Sequence, residues 1–339
     1  MQLIMVHDLA TPDFGTPRGE LYAAMLDQCA WADEVGFDVI ALGEHHGSED
    51  GYDPSPVVVA AAVGARTGRI QIRTSVLLAP LYDPVKLAED LAVASLVCGG
   101  RLEAGLGAGY RPSEYEAFGQ RMEDRWERMG EIVAFLRQAW TGEPFEWRGR
   151  RIHVTPRPMP PPPIILGGAY PRSARRAAQI ADGWLPRTAD LWEPYRNECI
   201  RLGRPDPGPY PEQGPVFLHV SHDPEKDWQR IAPHAVRMAE EYTGWQREAP
   251  NQSDGPYAGP AGEAELRASG AYQVLRPEEV LALAERLGPD GILYTTPLLR
   301  GLDPALAWES LHRLEREVLP YLPGGGSAWP AGGSAQGSA

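Results

Sequence analysis

Apolar residues along this chain follow two alternating rhythms. Short strand-like runs recur, each followed by polar or glycine-rich residues and then by a stretch whose apolar positions fall at helical spacing. "QLIMVHDL" (2–9) leads to "ELYAAMLDQCAWADEVG" (20–36), in which Leu21, Ala24, Met25, Cys29 and Ala32 share one face and Gly36 offers a stop. "DVIALGEHH" (38–46) leads to "DPSPVVVAAAVGART" (53–67), where Asp53 or Ser55 can cap and Pro56 can fill the first turn. "IQIRTSVLL" precedes "DPVKLAEDLAVASLVCGG", "RLEAGLGAGY" precedes "EDRWERMGEIVAFLRQAW", and "PIILGGAY" precedes "RSARRAAQIAD". "GWLPRT" with "LWEPYRNECIRLG", "PVFLHVSHD" with "EKDWQRIAPHAVRMAEEY", and "GILYTTPLL" with "PALAWESLHRLEREVLPYL" bring the units to eight. Strands alternating with helices imply a parallel sheet, and eight units predict an α/β fold closed as a (β/α)8 TIM barrel over residues 1–322.

Two segments break the rhythm and are read as insertions after strand 4 and after strand 7. Residues 142–163 are rich in proline and aromatics; residues 243–272 are rich in glycine and proline. Long inserts of this kind serve as lids or binding loops, or only as mobile connections. Their aromatics Phe145, Trp147, Tyr242, Trp245 and Tyr257 suit either an apolar organic substrate under a lid or simple packing onto the barrel. The Gly/Ser/Ala tail, 323–339, has no periodicity and is expected to be disordered.

Barrel architecture gives the stretch "ALGEHHG" (41–47) its interest. Residues closing barrel strands line the mouth at which active sites are built, and Glu44, His45 and His46 close the second strand. One histidine there could be a satisfied structural residue. Three adjacent polar groups after "VIALG" favour function, because alternation must point at least one of them inward. The same alternation argues against a metal centre, since neighbouring side chains diverge and no partner ligands recur at matching spacing. "ILGGAYPRSARRAA" (165–178) offers an anion site. Gly167 and Gly168 let backbone approach closely, the helix opening near Pro171 presents free N–H groups, and Arg172 and Ser173 add a charge and a hydroxyl. A tight turn before a basic surface helix explains the same residues without a ligand. On "RLEAGLGAGY", Glu103, Gly105, Gly107 and Gly109 repeat at period two, leaving space for a ligand or for close-packed neighbours. Arg125, Arg128 and Glu131 read as a solvated, salt-bridged helix face.

Composition narrows the functional classes. Lys plus Arg number 32 against 46 Asp plus Glu, a net charge of −14 that repels nucleic acid and anionic lipid surfaces. Cys29, Cys98 and Cys199 are odd in number and far apart, so they read as buried thiols of a reducing compartment. The first residues lack a basic region and long apolar core, and the longest apolar run is too short to span a bilayer. A cytoplasmic enzyme is expected.

The segment from "EVGFDVIALGEHH" through "TSVLLAPLYDPVKLAEDLA" and "GGRLEAGLGAGYRPSEYEAFG", with "RWERMGE" and "PPPIILGG......RRAAQIADGW", resembles the bacterial luciferase-like superfamily. That superfamily comprises flavin-dependent monooxygenases and deazaflavin (F420)-dependent oxidoreductases. The resemblance covers roughly the first 185 residues. It implies reduced FMN, supplied by a separate flavin reductase, acting with O2 on a small organic substrate; F420-dependent hydride transfer is the runner-up, and a non-catalytic flavin-binding or partner subunit a further alternative. By the same resemblance His45 is the catalytic or cofactor-positioning imidazole, Glu44 orients it or a neighbouring donor, and His46 stands beside the cofactor or gives only structural support. Ser75 and Val76 match a strand-three bulge with a non-proline cis peptide beneath the flavin ring. Glu103, Gly107 and Tyr110 border the cofactor pocket, Gly167, Gly168, Arg172 and Ser173 hold its phosphate, and a homodimer is expected.

Overall fold

A computed structural model describes residues 1–248 and 262–322. Tyr257 and the 323–339 tail lie outside these residues. Seven parallel strands form the main sheet: β1 (Gln2–His7), β2 (Val39–Leu42), β3 (Gln71–Thr74), β4 (Leu102–Leu106), β7 (Ile164–Gly168), β8 (Gly183–Pro186) and β11 (Ile292–Thr295), in the order β11-β1-β2-β3-β4-β7-β8. Between β4 and β7 the short strands β5 (Phe145–Trp147) and β6 (Arg150–Ile152) make a separate antiparallel hairpin. Strands β9 (Phe217–Val220) and β10 (Tyr272–Leu275) pair in parallel. The run into β9 is hydrogen-bonded to β11, through Gly214 N to Ile292 O and Ile292 N to Glu212 O, each 2.8 Å.

Each crossover passes through helix: α1 (Arg18–Val35), α2 (Pro56–Gly64), α3 (Pro84–Val97), α4 (Pro112–Ala117) with α5 (Arg125–Ala139), α6 (Pro171–Ile180), α7 (Trp192–Arg201), α8 (Pro224–Glu248) with α9 (Glu263–Ala268), α10 (Pro277–Leu287) and α11 (Pro304–Arg313). Proline opens many of them because its missing N–H falls where a helix has no partner for one. Gly36 ends α1 in the left-handed region at φ 102°, as the spacing predicts, and Asp83 caps α3 by accepting from Val85 N and Lys86 N.

All eight expected strands are present. The unit β10–α10 was not anticipated, because "YQVL" is short and partly exposed. The second insertion is also smaller than expected: residues 243–248 continue α8, and 263–268 form α9. Alternation divides the sheet cleanly. Leu3, Met5, Ile40, Leu42, Leu102, Ala104 and Leu166 join the helices in the large core, whereas Ile4, Val39, Ala41 and Ile292 form a small cluster on the other face with Val6 and Tyr294. That inner face loses bulk toward the strand ends, where Gly43, Gly105, Gly107 and Gly167 follow one another around the sheet. Phe145 and Trp147 of the hairpin lie edge-on to Phe135 of α5 at 5.2 and 5.1 Å, so these two aromatics pack the insertion against a helix.

Candidate active site

Residues that close β2 meet those that follow β3 and β4 at one rim, the carboxyl end of the sheet. Glu44 is buried and used on both oxygens: Oε2 accepts Leu78 N and Oε1 accepts the Tyr82 hydroxyl, each at 2.5 Å, while His46 Nε2 lies 2.8 Å from Oε1. Burial and the adjacent Glu44 push the Tyr82 phenol well above its usual range, so it stays protonated and donates. Arg128, expected on a solvated face, instead donates to Pro80 O and Tyr82 O and holds this loop in place. Glu44 therefore ties the loop after β3 to the end of β2 and orients His46, whose ring also meets Phe118 edge-on at 4.6 Å. Of the two roles expected for Glu44, it takes the second, holding neighbouring groups, His46 and Tyr82, and not His45.

His45 has a different carboxylate. Its Nδ1 lies 2.9 Å from Glu114 Oε1 on α4, and the same oxygen accepts His46 N at 3.0 Å. Arg111 approaches that oxygen to 3.5 Å, donates to His46 O at 2.9 Å and pairs with Glu248 at the end of α8. Around the imidazole stand Tyr52 at 4.9 Å, Tyr110 at 5.7 Å, Tyr242 at 5.8 Å and Trp245 at 4.3 Å between ring centres. His45 is only 7% exposed, so it faces this aromatic enclosure and not bulk water. Gly43 is required beside it: a side chain there would collide with the Tyr52 hydroxyl. Glu114 and Tyr52 escaped sequence reasoning. The available signal for Glu114 was Pro112, which starts a helix directly after a rim strand and sets a first-turn carboxylate over the mouth.

Beneath the aromatics lies Arg300, fully buried in the turn after β11. Its guanidinium carbon is 5.2 Å from the Tyr52 ring centre, 5.6 Å from that of Tyr242 and 5.8 Å from that of Trp245. Glu241 of α8 and Asp8 after β1 flank it at 2.7 and 3.5 Å. Burial opposes the guanidinium charge, yet Asp8 and Glu241 outweigh it and hold the group protonated.

Moving around the rim, the Ser75–Val76 peptide bond is cis, as the resemblance implied. Ser75 is exposed although Thr74 and Leu77 on either side are buried. Val76 explains two of the glycines: a side chain at Gly107 would strike it, and one at Gly167 would come within 2.7 Å. Gly168 is constrained likewise, by Trp184 at 2.8 Å and the Ser173 Cβ at 2.9 Å. These glycines thus admit close packing between neighbouring strands, and the packing delivers Val76 to the rim between β4 and β7. Ser173 is buried against Gly168, while Arg172 is exposed at the opening of α6, whose N-terminus has no side-chain cap. Tyr110 borders the aromatic enclosure around His45. Glu103 stands apart: it pairs with Arg73 Nε at 2.5 Å, across the β3–β4 register and below the rim.

Asp53 adds a titratable group to the same neighbourhood. It is 1% exposed, its Oδ1 accepts Ser55 N at 2.9 Å, and its carboxyl is pushed up to about 7, chiefly by burial, with Glu44 raising it and His46 lowering it. A carboxyl with a raised native pKa contributes stability that is complete below the unfolded value near 3.8 and lost as pH rises through about 7. Asp53→Asn is therefore expected to match the parent near pH 4. Above pH 7 it should be more stable by on the order of 2–4 kcal/mol. Urea unfolding between pH 5 and pH 8 checks this, and a difference that does not grow with pH would contradict it.

The parallel α/β sheet, similar to luciferase-like TIM barrels, thus gathers a histidine–carboxylate pair, an aromatic enclosure and an uncapped helix start on one rim, the carboxyl end at which folds of this class build their sites. The chain belongs to the luciferase-like monooxygenase family, whose model matches residues 3–287. It is 30% identical over 186 residues to the oxygenase component of a flavin-dependent trigonelline monooxygenase from Acinetobacter baylyi, covering 52% of this chain and 51% of that protein. It is also 30% identical over 188 residues to an F420-dependent glucose-6-phosphate dehydrogenase from Gordonia bronchialis, covering 51% of this chain and 56% of that protein. The chain thus spans about half the length of these curated relatives. Among solved structures, monooxygenase RslO1 from Streptomyces bottropensis superposes with a TM-score of 0.74 at 24% identity, over 95% of this chain and 99% of that one, a likeness of fold. Relatives include both flavin-dependent and F420-dependent oxidoreductases, and among the described residues no helix is long and apolar enough to cross a membrane.

Proposed function

We propose that this chain is the oxygenase of a two-component system, one that takes reduced FMN from a separate reductase and oxidises a small organic substrate with O2. The observation that carries the reading is the shared rim, where the His45–Glu114 pair and its aromatic walls stand beside the exposed Ser75–Val76 bulge and the opening of α6. These residues fit such a cofactor. The inner strand ends are stripped of bulk, Ser75 and Val76 are reachable, and the uncapped start of α6 with Arg172 suits a phosphate. Reduced flavin, when bound, supplies the electrons for oxygen chemistry. The chain's own residues do the rest. Tyr52, Tyr110, Tyr242 and Trp245 exclude water and favour an apolar or aromatic substrate, and His45 moves a proton to or from it. Completion of a (β/α)8 barrel by the β9–β10 pair, a cytoplasmic location and a homodimer belong to the same proposal.

F420 is the second reading, favoured by relatives of equal identity that use it. Anaerobic titration of the purified protein with reduced FMN and with F420, followed by oxygen uptake, separates the two. Reduced FMN should bind and oxygen consumption should follow. Tight F420 binding without oxygen uptake would overturn the monooxygenase reading.

A further inference from the structure

We propose that Glu114 is the positioning residue that fixes the tautomer of His45, holding its proton on Nδ1 so that Nε2 is the nitrogen left to exchange protons at the site. The inference rests on the reading of His45 as the proton-handling imidazole. Its evidence, however, is independent of any cofactor.

Glu114 Oε1 has three polar neighbours, two of which are donors whatever their protonation. His45 Nδ1 is at 2.9 Å, His46 N at 3.0 Å and the Arg111 guanidinium at 3.5 Å. The backbone N–H and the guanidinium can only donate, so this oxygen can only accept, and the His45 nitrogen that faces it must carry hydrogen. Glu114 is 1% exposed, which leaves little water to compete for the bond. A hydrogen bond on one ring nitrogen decides what the other can do, because neutral imidazole has one donor and one acceptor. Here the acceptor is Nε2.

The carboxylate is held as well as it holds. Arg111 donates to His46 O at 2.9 Å, pairs with Glu248 Oε1 at 3.0 Å and stacks over Trp245 with its central carbon 4.6 Å from the ring centre. Trp245 lies 4.3 Å from the His45 ring. One side chain thus steadies the acceptor below the imidazole and the aromatic wall against it. Turning the His45 ring over about its Cβ–Cγ bond would put the carbon Cδ2 in the place of Nδ1 and lose the bond to Glu114, so the ring has one favoured pose. Glu44, the nearer carboxylate in sequence, is committed to Leu78, Tyr82 and His46.

Long-range 1H–15N correlation spectra of the protein with 15N-labelled histidine, without cofactor, read the tautomer directly. His45 is assigned by the signal lost in His45→Gln. In the parent protein the Nδ1–H form should dominate, on the order of tenfold or more, the ratio that a hydrogen bond to a charged group produces. Glu114→Leu removes the acceptor and should abolish that dominance, whereas Glu114→Gln keeps an acceptor oxygen and should restore it. A parent spectrum dominated by Nε2–H overturns the proposal even if Glu114→Leu fails to fold. So does a folded Glu114→Leu variant with Nδ1–H still dominant. Either result leaves the oxygenase reading to be judged by turnover of the His45 variants, so the two failures are distinguishable.

Discussion

His45→Ala is expected to lower turnover by about 10²–10⁴-fold, the usual contribution of a positioned acid–base group. The expectation follows from three features of one side chain: its Nδ1 is held by Glu114, its ring is enclosed by four aromatics, and it is nearly removed from solvent. None of those features concerns the cofactor phosphate. Affinity for reduced FMN should therefore change by only a few-fold. Alanine leaves a gap within the aromatic enclosure, so His45→Gln serves as the control. Its amide fills much of the space and can still donate to Glu114, yet it cannot carry a proton at neutral pH. Circular dichroism should show both variants folded. Unchanged turnover in both would remove His45 from the chemistry.

Arg300→Met should carry the largest stability cost, about 3–5 kcal/mol, because it strands Asp8 and Glu241 in the interior without their cation. Burial already raises the Asp8 carboxyl, and Arg300 is the first influence pulling it back down. Without the guanidinium the Asp8 carboxyl shifts further up, and stability then falls as pH rises. Equilibrium unfolding should show the deficit shrinking toward pH 5 and growing toward pH 8. Adding Glu241→Gln should recover part of it, since one of the two buried charges is then gone. A deficit under 1 kcal/mol at pH 8 would mean that water reaches this trio. Because the guanidinium also supports the faces of Tyr52, Tyr242 and Trp245, loosening of the wall beside His45 should accompany the loss.

Strand–helix alternation made the fold legible because each core-facing position is constrained by burial, and burial leaves a period in the sequence. Gly36 and Pro56 act where their chemistry predicts, whereas neither Asp53 nor Ser55 gives α2 a side-chain cap. The β10–α10 unit was missed since four residues with one buried side chain leave almost no pattern. Site partners are harder for a physical reason. Which carboxylate meets which imidazole is decided across strands, between residues 69 apart in the case of His45 and Glu114, and no local spacing encodes that. Adjacency in sequence suggested Glu44, but neighbouring side chains at a strand end diverge, and Glu44 turned toward the loop after β3. The rim glycines illustrate the converse. The spacing of Gly107 and Gly167 was visible, while their reason, the side chain of Val76, comes from the turn after β3.

The account as a whole stands on one shared rim for the cofactor ring and His45. A crystal structure of the complex with reduced FMN tests it most directly. The ring should rest on Ser75–Val76 with His45 beside it and the phosphate at the start of α6. A ring seated instead at the opposite end of the sheet, in the cavity of about 400 Å³ among Gln2, Trp192, Tyr210 and Ile292, would contradict it.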